Sequence, residues 1–193
     1  MEIRQKFVVD KPLETVWAAL CDIRLVASCV PGAEIVSVSP DGREVEGRIR
    51  TKLGPISAAF SGKGVITRDD ATHSGKVEGS GADKNSASRV KISLDYATRP
   101  SDGDNSTTTD IVANVVLTGP LAQFGKGALM NDIATAMTAE FTKNLQAAIG
   151  RPDDAASTSR TGAASPSAAP AELRPMKILW AVIRARFTAL FAR

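Results

Sequence analysis

Residues 34–118 contain strand-length segments separated by turn residues, and one long helix-forming segment follows them. An antiparallel sheet built from such segments has an apolar face that another element must cover. The long segment can cover it, because Ile133, Met137 and Phe141 recur every four residues and so share one helical face. The sequence therefore predicts an α+β fold in which a curved antiparallel sheet wraps round a C-terminal helix.

The chain before residue 34 adds one strand and two short helices to this plan. Residues 3–9 have the period of two that is typical of a strand with one buried face. A helix with Leu13, Val16 and Trp17 on one side follows, and a second helix ends before Pro31. The other predicted strands are 34–39, 43–53, 56–68, 73–82, 88–98 and 107–118. Together with the first strand they predict a seven-stranded meander.

Composition divides the chain into three parts. Residues 1–150 carry the regular periodicity and form the predicted folded domain. Residues 151–175 are rich in Ala, Ser, Thr and Pro, with Leu173 as their only large apolar residue. Such a segment buries too little apolar surface to offset its conformational entropy, so it is predicted to be a disordered linker. Residues 176–193 are again apolar, and they are basic.

The basic charge of the chain is concentrated in this last part. The formal net charge is +3. Residues 176–193 carry four basic residues and no acidic one, whereas acidic and basic residues nearly balance in residues 1–150. A nearly neutral folded domain argues against broad nucleic-acid binding, which needs a basic face to contact phosphates. We therefore expect no nucleic-acid partner.

Residues 176–193 fit an amphipathic helix. Seven large apolar side chains fall within an arc of about 120°, and these are Met176, Leu179, Trp180, Ile183, Phe187, Leu190 and Phe191. The back of the helix is only weakly polar, with alanines, Ile178 and Val182. Basic side chains flank this arc on both sides and are Lys177, Arg184, Arg186 and Arg193. Their stems can cover hydrocarbon while their charges reach lipid headgroups, which predicts a membrane-surface helix. Docking on the folded domain or in the groove of a partner protein is the alternative.

Few residues indicate chemistry. Cys21 and Cys29 are interpreted as reduced, buried thiols, because no cluster of Cys and His accompanies them. His73 is the only histidine and lies at a predicted strand end or turn. A cavity enzyme would need inward-facing titratable groups. The candidates are Glu34, Arg48 and Asp95, and none of them has a second titratable residue at a recognisable spacing. The sequence therefore predicts neither a catalytic site nor a metal site.

Several motifs in residues 1–150 resemble one family. They are Val16-Trp17-x-x-Leu20, Cys29-Val30-Pro31-Gly32-Ala33-Glu34, Lys52-Leu53-Gly54-Pro55-Ile56 and Gly119-Pro120-Leu121-Ala122-Gln123-Phe124-Gly125. In this order they resemble the carbon monoxide dehydrogenase CoxG family, which belongs to the START/Bet v 1-like (SRPBCC) superfamily of helix-grip proteins. The linker and the amphipathic tail are similar to those of the extended members.

The resemblance implies a cavity and a partner. It implies an apolar cavity between the sheet and the long helix, of the kind that the superfamily uses for hydrophobic ligands. It also implies association with an aerobic molybdenum-containing carbon monoxide dehydrogenase, or with a related molybdenum hydroxylase, and attachment to the membrane. Glycines in the predicted strands are compatible with room beneath the helix. The candidate wall residues, each of which could equally be plain core, are Trp17, Val30, Ile35, Phe60, Phe124, Met130 and Met137.

These features lead us to expect a non-catalytic accessory protein. It would take a lipid-soluble quinone, menaquinone or ubiquinone, from the membrane and present it to the dehydrogenase, whose centres would perform the redox chemistry. A pure membrane adaptor without cargo and a cavity enzyme of the cyclase or hydrolase type are the alternatives. The sequence has neither a run of about 18 uncharged apolar residues nor a secretory h-region. We therefore expect a cytoplasmic protein, peripheral on the inner face of the cell membrane.

Overall fold

The computed structural model describes residues 1–53, 56–101, 105–124 and 128–150, without the side chains of residues 52, 53, 56, 124 and 128. The predicted linker and the predicted amphipathic helix lie outside the described residues. The elements are β1 (Glu2–Val9), α1 (Leu13–Cys21), α2 (Ile23–Cys29), β2 (Ala33–Val38), β3 (Glu44–Leu53), β4 (Ile56–Asp69), β5 (Ser74–Asp83), β6 (Ser88–Pro100), β7 (Thr107–Thr118), a 3₁₀-helix (Pro120–Phe124) and α3 (Ala128–Ile149). The predicted α+β architecture is confirmed, and the strand bounds agree within two residues.

The seven strands form one antiparallel sheet in the order β1-β7-β6-β5-β4-β3-β2. β2 to β7 are therefore a simple meander. The predicted seven-stranded meander is wrong at β1, which pairs with β7 and not with β2, with Ile3 opposite Ala113 and Phe7 opposite Thr109. Residues that are directly opposite each other in neighbouring strands point to the same face of the sheet. The register therefore shows which side chains share a face across all seven strands.

The side of the sheet that meets α3 is called the inner face here. In β1 the buried residues Ile3, Phe7 and Val9 alternate with exposed or half-buried ones. The Phe7 ring lies 5.5 Å from the Phe141 ring of α3 in an edge-to-face contact. α3 thus lies over the inner face at β1, and the other strands present their inner face through the register.

The turn between α2 and β2 explains the second family-like motif. Gly32 has φ of +75°, and a side-chain carbon at this position would collide with the backbone oxygen of Arg50 in β3. The amide nitrogen of Arg50 donates a hydrogen bond to the Gly32 oxygen at 2.9 Å. Glycine is required because only it adopts this conformation without strain and allows the two backbones to approach so closely.

The buried core lies where α1, α2 and the end of α3 meet β1. Its buried residues are Phe7, Val9, Val16, Ala19, Cys29 and Leu145. The side-chain amide of Asn144 donates a hydrogen bond to the Cys29 oxygen at 3.0 Å, which ties α3 to the end of α2. Among the described residues, this end of the domain holds the fully buried apolar side chains of the helices.

We expect Leu145→Ala to lower the free energy of unfolding by about 3 kcal/mol, because Leu145 is fully buried and its truncation leaves a cavity. The measurement is urea denaturation followed by circular dichroism. Leu129→Ala is the matched control, since Leu129 is 41% exposed in the same helix and its truncation should change stability by less than about 0.5 kcal/mol. Equal losses of unfolding free energy in Leu145→Ala and Leu129→Ala would contradict the position of the core.

Candidate functional site

The inner face of the sheet beyond β1 is apolar and only half-buried. In β6 and β7 alone, Val90, Ile92, Leu94, Val115 and Leu117 point to this face, and each is half-buried. The apolar inner-face residues of β1, in contrast, are buried. The apolar surface of the central strands is therefore only partly covered within the described residues. Such a surface can bind an apolar ligand.

Five glycines lie together on this same face and are called the glycine trough. Gly47 is opposite Gly62, Gly62 is opposite Gly81, and Gly64 is opposite Gly79. A side-chain carbon at Gly64 would have two neighbours within 4 Å, Val45 Cγ1 at 3.4 Å and the Glu78 oxygen at 3.5 Å, and both belong to the sheet. Within the described residues, the space above Gly64 is therefore open.

The register places two of the sequence-predicted wall residues on this face. Ile35 and Phe60 point to the inner face and are half-buried. Val30 ends α2, and Met130 and Met137 lie in α3, and all three are half-buried. The side chain of Phe124 lies outside the described residues. Contact of these residues with a ligand stays a prediction.

Trp17 is fixed in place by the turn between β4 and β5. It is only 6% exposed, and its Nε1 donates a hydrogen bond to Asp70 Oδ1 at 2.9 Å. Its ring lies 5.4 Å from the His73 ring and 6.2 Å from the Tyr96 ring. His73 lies in this turn with φ of +46°, and its Nε2 is 3.4 Å from Glu14 Oε1. The single histidine therefore packs against Trp17 at the α1 end of the sheet.

Sequence reasoning missed two polar residues on the inner face, Arg68 and Tyr96. The register places Tyr96 opposite Gly75, and Gly75 opposite Arg68. A side-chain carbon at Gly75 would lie 2.7 Å from Tyr96 Cε1, so the tyrosine ring covers this glycine. The alternation of β6 could have identified Tyr96, because this residue continues the apolar face of Leu94.

Burial raises the pKa of Tyr96 above its ordinary value, and the charge of the adjacent Arg68 guanidinium and a hydrogen bond from it offset part of the rise. The Nε atom of Arg68 is buried and has no hydrogen-bond partner in the described part of the chain. Burial also raises the pKa of Cys21. The positive charge of Arg68 offsets part of this rise, and the negative charge of Asp70 adds to it. The α1 end of the inner face thus combines the neutral Tyr96 and Cys21 side chains with the cationic Arg68 and the nearby Asp70 carboxylate, which accepts the Trp17 hydrogen bond.

Glu34, Arg48 and Asp95, the candidates that the cavity-enzyme alternative would have needed to face inward, do not do so. Each is exposed and points to the outer face of the sheet, because the period of two places their strand neighbours on the inner face. The Glu34 carboxylate lies 3.8 Å from the Arg50 guanidinium in an exposed ion pair. In the described ranges, no three His, Cys, Asp or Glu side chains come close enough together to hold a metal ion.

The comparisons with known proteins agree with this geometry. The model of the carbon monoxide dehydrogenase CoxG family matches residues 6–150. A search of curated proteins by sequence finds no significant match.

Solved structures with the same fold are distant in sequence. A conserved protein from Geobacillus kaustophilus superimposes with a TM-score of 0.68 at 14% identity, over 78% of this chain and 95% of that one. Norcoclaurine synthase from Thalictrum flavum gives 0.54 at 15% identity, over 77% and 86%. The Zhui aromatase/cyclase from Streptomyces sp. R1128 gives 0.50 at 15% identity, over 81% and 97%. At these identities the likeness shows the Bet v 1-like helix-grip fold alone.

Proposed function

The chain belongs to the carbon monoxide dehydrogenase CoxG family, and from this membership we propose that it is a non-catalytic carrier of a lipid-soluble quinone. It takes menaquinone or ubiquinone from the membrane and presents it to a molybdenum-containing carbon monoxide dehydrogenase. The observation that carries the proposal is the half-buried apolar inner face with the glycine trough at its centre. In this role the chain itself catalyses no reaction.

An isoprenoid chain suits this surface. It is made of branched hydrocarbon units without hydrogen-bonding groups, so its burial is favourable by about 25 cal/mol per Å² of apolar surface. The glycine trough offers depth at the floor of the site, where side chains would otherwise project. Met130 and Met137 in α3 supply adaptable apolar side chains, which tolerate ligands of different shape.

The proposed role assigns the redox chemistry to the dehydrogenase. Transport requires the chain only to bind the quinone, to shield its tail from water and to release it. The described residues support binding, because the middle of the inner face is apolar, while its polar groups lie towards the α1 end and, as the buried Asp83 and Ser88, at the turn between β5 and β6.

Membrane contact is assigned to residues 176–193. In the described part of the chain no helix is both long and apolar enough to cross a membrane. The basic amphipathic pattern of the tail favours attachment to an anionic surface, with the protein peripheral on the inner face of the cell membrane. A flexible linker over residues 151–175 has a root-mean-square reach of about 25–30 Å. This reach lets the folded domain contact the dehydrogenase while the tail stays in lipid.

A pure membrane adaptor is the second candidate function, and the tail pattern favours it independently of any ligand. In this case the tail binds the membrane, the folded domain binds the dehydrogenase and the inner face has no cargo. The two functions differ in whether ligand is bound and in whether substitutions on the inner face matter.

Extraction of the purified full-length protein with organic solvent, followed by mass spectrometry, tests the carrier function. We expect about one quinone per chain after incubation with quinone-loaded vesicles, against a detergent-only blank, because the proposed site is one continuous apolar face of a single sheet. An absence of retained quinone after this incubation would overturn the carrier function and leave the membrane adaptor.

A further inference from the structure

We propose that Arg68 and Tyr96 form a hydrogen-bond donor site that binds an acceptor oxygen at the polar head of an amphipathic ligand. The head then lies at the α1 end of the inner face, and the apolar chain extends towards the glycine trough. The identity of the head as a quinone carbonyl rests on the proposed function, whereas the donor site itself rests on the geometry of these two residues.

The register brings the two side chains together. Arg68 in β4, Gly75 in β5 and Tyr96 in β6 stand in one row across the sheet and point to the inner face. Because Gly75 has no side chain, the Tyr96 ring can lie over it and approach Arg68. Substitution of the middle residue of this row would separate the donors, so the glycine is part of the site.

Arg68 has more donors than partners. Its Nε atom is buried and makes no hydrogen bond within the described residues, and there no carboxylate lies within 4.0 Å of its guanidinium. The nearby Asp70 accepts the Trp17 indole hydrogen bond with its Oδ1. A buried donor without an acceptor is unfavourable. Arg68 as a whole is half-buried, so its guanidinium is within reach of a ligand, and a ligand oxygen that accepts from it offsets this cost.

The surroundings select a head with acceptor oxygens. Arg68 and the Tyr96 hydroxyl are donors, and burial raises the pKa of Tyr96, so that its hydroxyl keeps its proton at neutral pH. The buried Trp17 ring lies 6.2 Å from the Tyr96 ring and packs beside it at this end of the sheet. A quinone carbonyl and a fatty-acid carboxylate both have acceptor oxygens on an apolar chain.

The distance along β4 between Arg68 and the glycine trough allows a single ligand to contact both. Gly64 and Arg68 are four residues apart on the same face of one strand, which corresponds to about 13 Å. Ile66, half-buried, lies between them on that face and is opposite Val77 of β5. A head at Arg68 therefore places the first isoprenoid units of its chain over apolar side chains before they enter the trough.

Equilibrium dialysis of the full-length protein tests this site with two probes of equal chain length, decylubiquinone and decanoate. We expect Arg68→Met to weaken binding of the recognised probe by about 10- to 100-fold and Tyr96→Phe by about 3- to 10-fold, since each removes a hydrogen bond to the head. Lys63→Met is the matched control, because Lys63 lies on the same strand, is exposed and points to the outer face. It should leave binding unchanged.

Thermal unfolding separates a binding role from a structural one. We expect the Tm of Arg68→Met to equal or exceed that of the wild type, because the substitution removes a buried donor without a partner. Unchanged affinity in both Arg68→Met and Tyr96→Phe would overturn the inference while quinone carriage stands. Loss of affinity in Arg68→Met together with a Tm well below that of Lys63→Met, with Tyr96→Phe unaffected, would also overturn it.

The two probes distinguish this inference from the proposed function. Decylubiquinone binding that depends on Arg68 supports both. Decanoate binding that depends on Arg68, without binding of the quinone, supports the donor site and overturns the quinone cargo. Binding of neither probe by the wild-type protein overturns both.

Discussion

Gly64→Leu is expected to weaken quinone binding by about 10- to 100-fold while the protein stays folded. The leucine side chain would project from the inner face into the glycine trough, where the ligand would have to overpack against it at a cost of about 1–3 kcal/mol. Its first carbon would have only ordinary contacts, with Val45 Cγ1 at 3.4 Å and the Glu78 oxygen at 3.5 Å. The sheet therefore accepts the substitution, and the effect falls on the ligand.

Ser61→Leu is the matched control for Gly64→Leu. Ser61 is exposed on the same strand, and its opposite residue in β3, Arg48, is on the outer face. The control adds a leucine side chain to β4 on the face that is not proposed to bind. Quinone retained after extraction is measured for both variants, with thermal unfolding to show that each is folded. Full quinone retention by folded Gly64→Leu would contradict the position of the ligand.

A substitution in α3 provides a second comparison of the carrier with the adaptor. Met137 is half-buried, and Met137→Trp enlarges a side chain of α3, which lies over the inner face at β1. Under the carrier function, both Gly64→Leu and Met137→Trp stop electron transfer from the dehydrogenase to quinone but leave membrane recruitment intact. Transfer that continues in both variants would favour the adaptor.

Removal of residues 176–193 is expected to release the protein from anionic vesicles. Each basic residue near such a surface contributes about 1 kcal/mol of attraction, and the apolar arc adds its own burial. With four basic residues in the segment, electrostatics alone account for about a 1,000-fold loss of partitioning. The measurement is vesicle co-sedimentation of the full-length and truncated proteins at low salt.

Changes in salt concentration and in lipid charge are the controls for membrane binding by residues 176–193. The full-length protein should bind less at high salt and less to neutral vesicles, because both conditions weaken the attraction of exposed basic groups. Replacement of Lys177, Arg184, Arg186 and Arg193 by Gln should reduce binding to anionic vesicles but keep the weaker binding to neutral ones. Unchanged vesicle binding by the truncated protein would show that the tail is not the membrane contact.

Arg68 and Tyr96 illustrate why part of the site could not be predicted from the sequence. Tyr96 continues the alternation of Leu94 and could have been assigned to the apolar face, but its neighbour across the sheet was not known. Arg68 follows Ile66 at the same period of two, and a lone arginine at a strand end is ordinarily exposed. Only the pairing of β4, β5 and β6 brings the two donors into one row with Gly75 between them.

The glycines also show which features the sequence predicts and which only the strand register reveals. Their presence in predicted strands indicated room beneath the helix, but each could also have been a bulge or a bend. The register places Gly47, Gly62 and Gly81 in one row and Gly64 and Gly79 in the next, which turns scattered positions into one open area. Gly62 is required for a different reason, since a side chain there would collide with the Ser80 oxygen of β5.

Local patterns determined the elements of this protein, because the period of two in a strand and the four-residue recurrence in α3 are properties of neighbouring residues. Turn residues determined where strands end, and a single long helix after an antiparallel sheet determined the fold class. Tertiary structure decided the pairing of β1 with β7, the inner face and the residues that meet on it. These depend on contacts between residues far apart in the chain, which no local pattern encodes. The outward position of Glu34, Arg48 and Asp95 and the row of Arg68, Gly75 and Tyr96 both follow from that register.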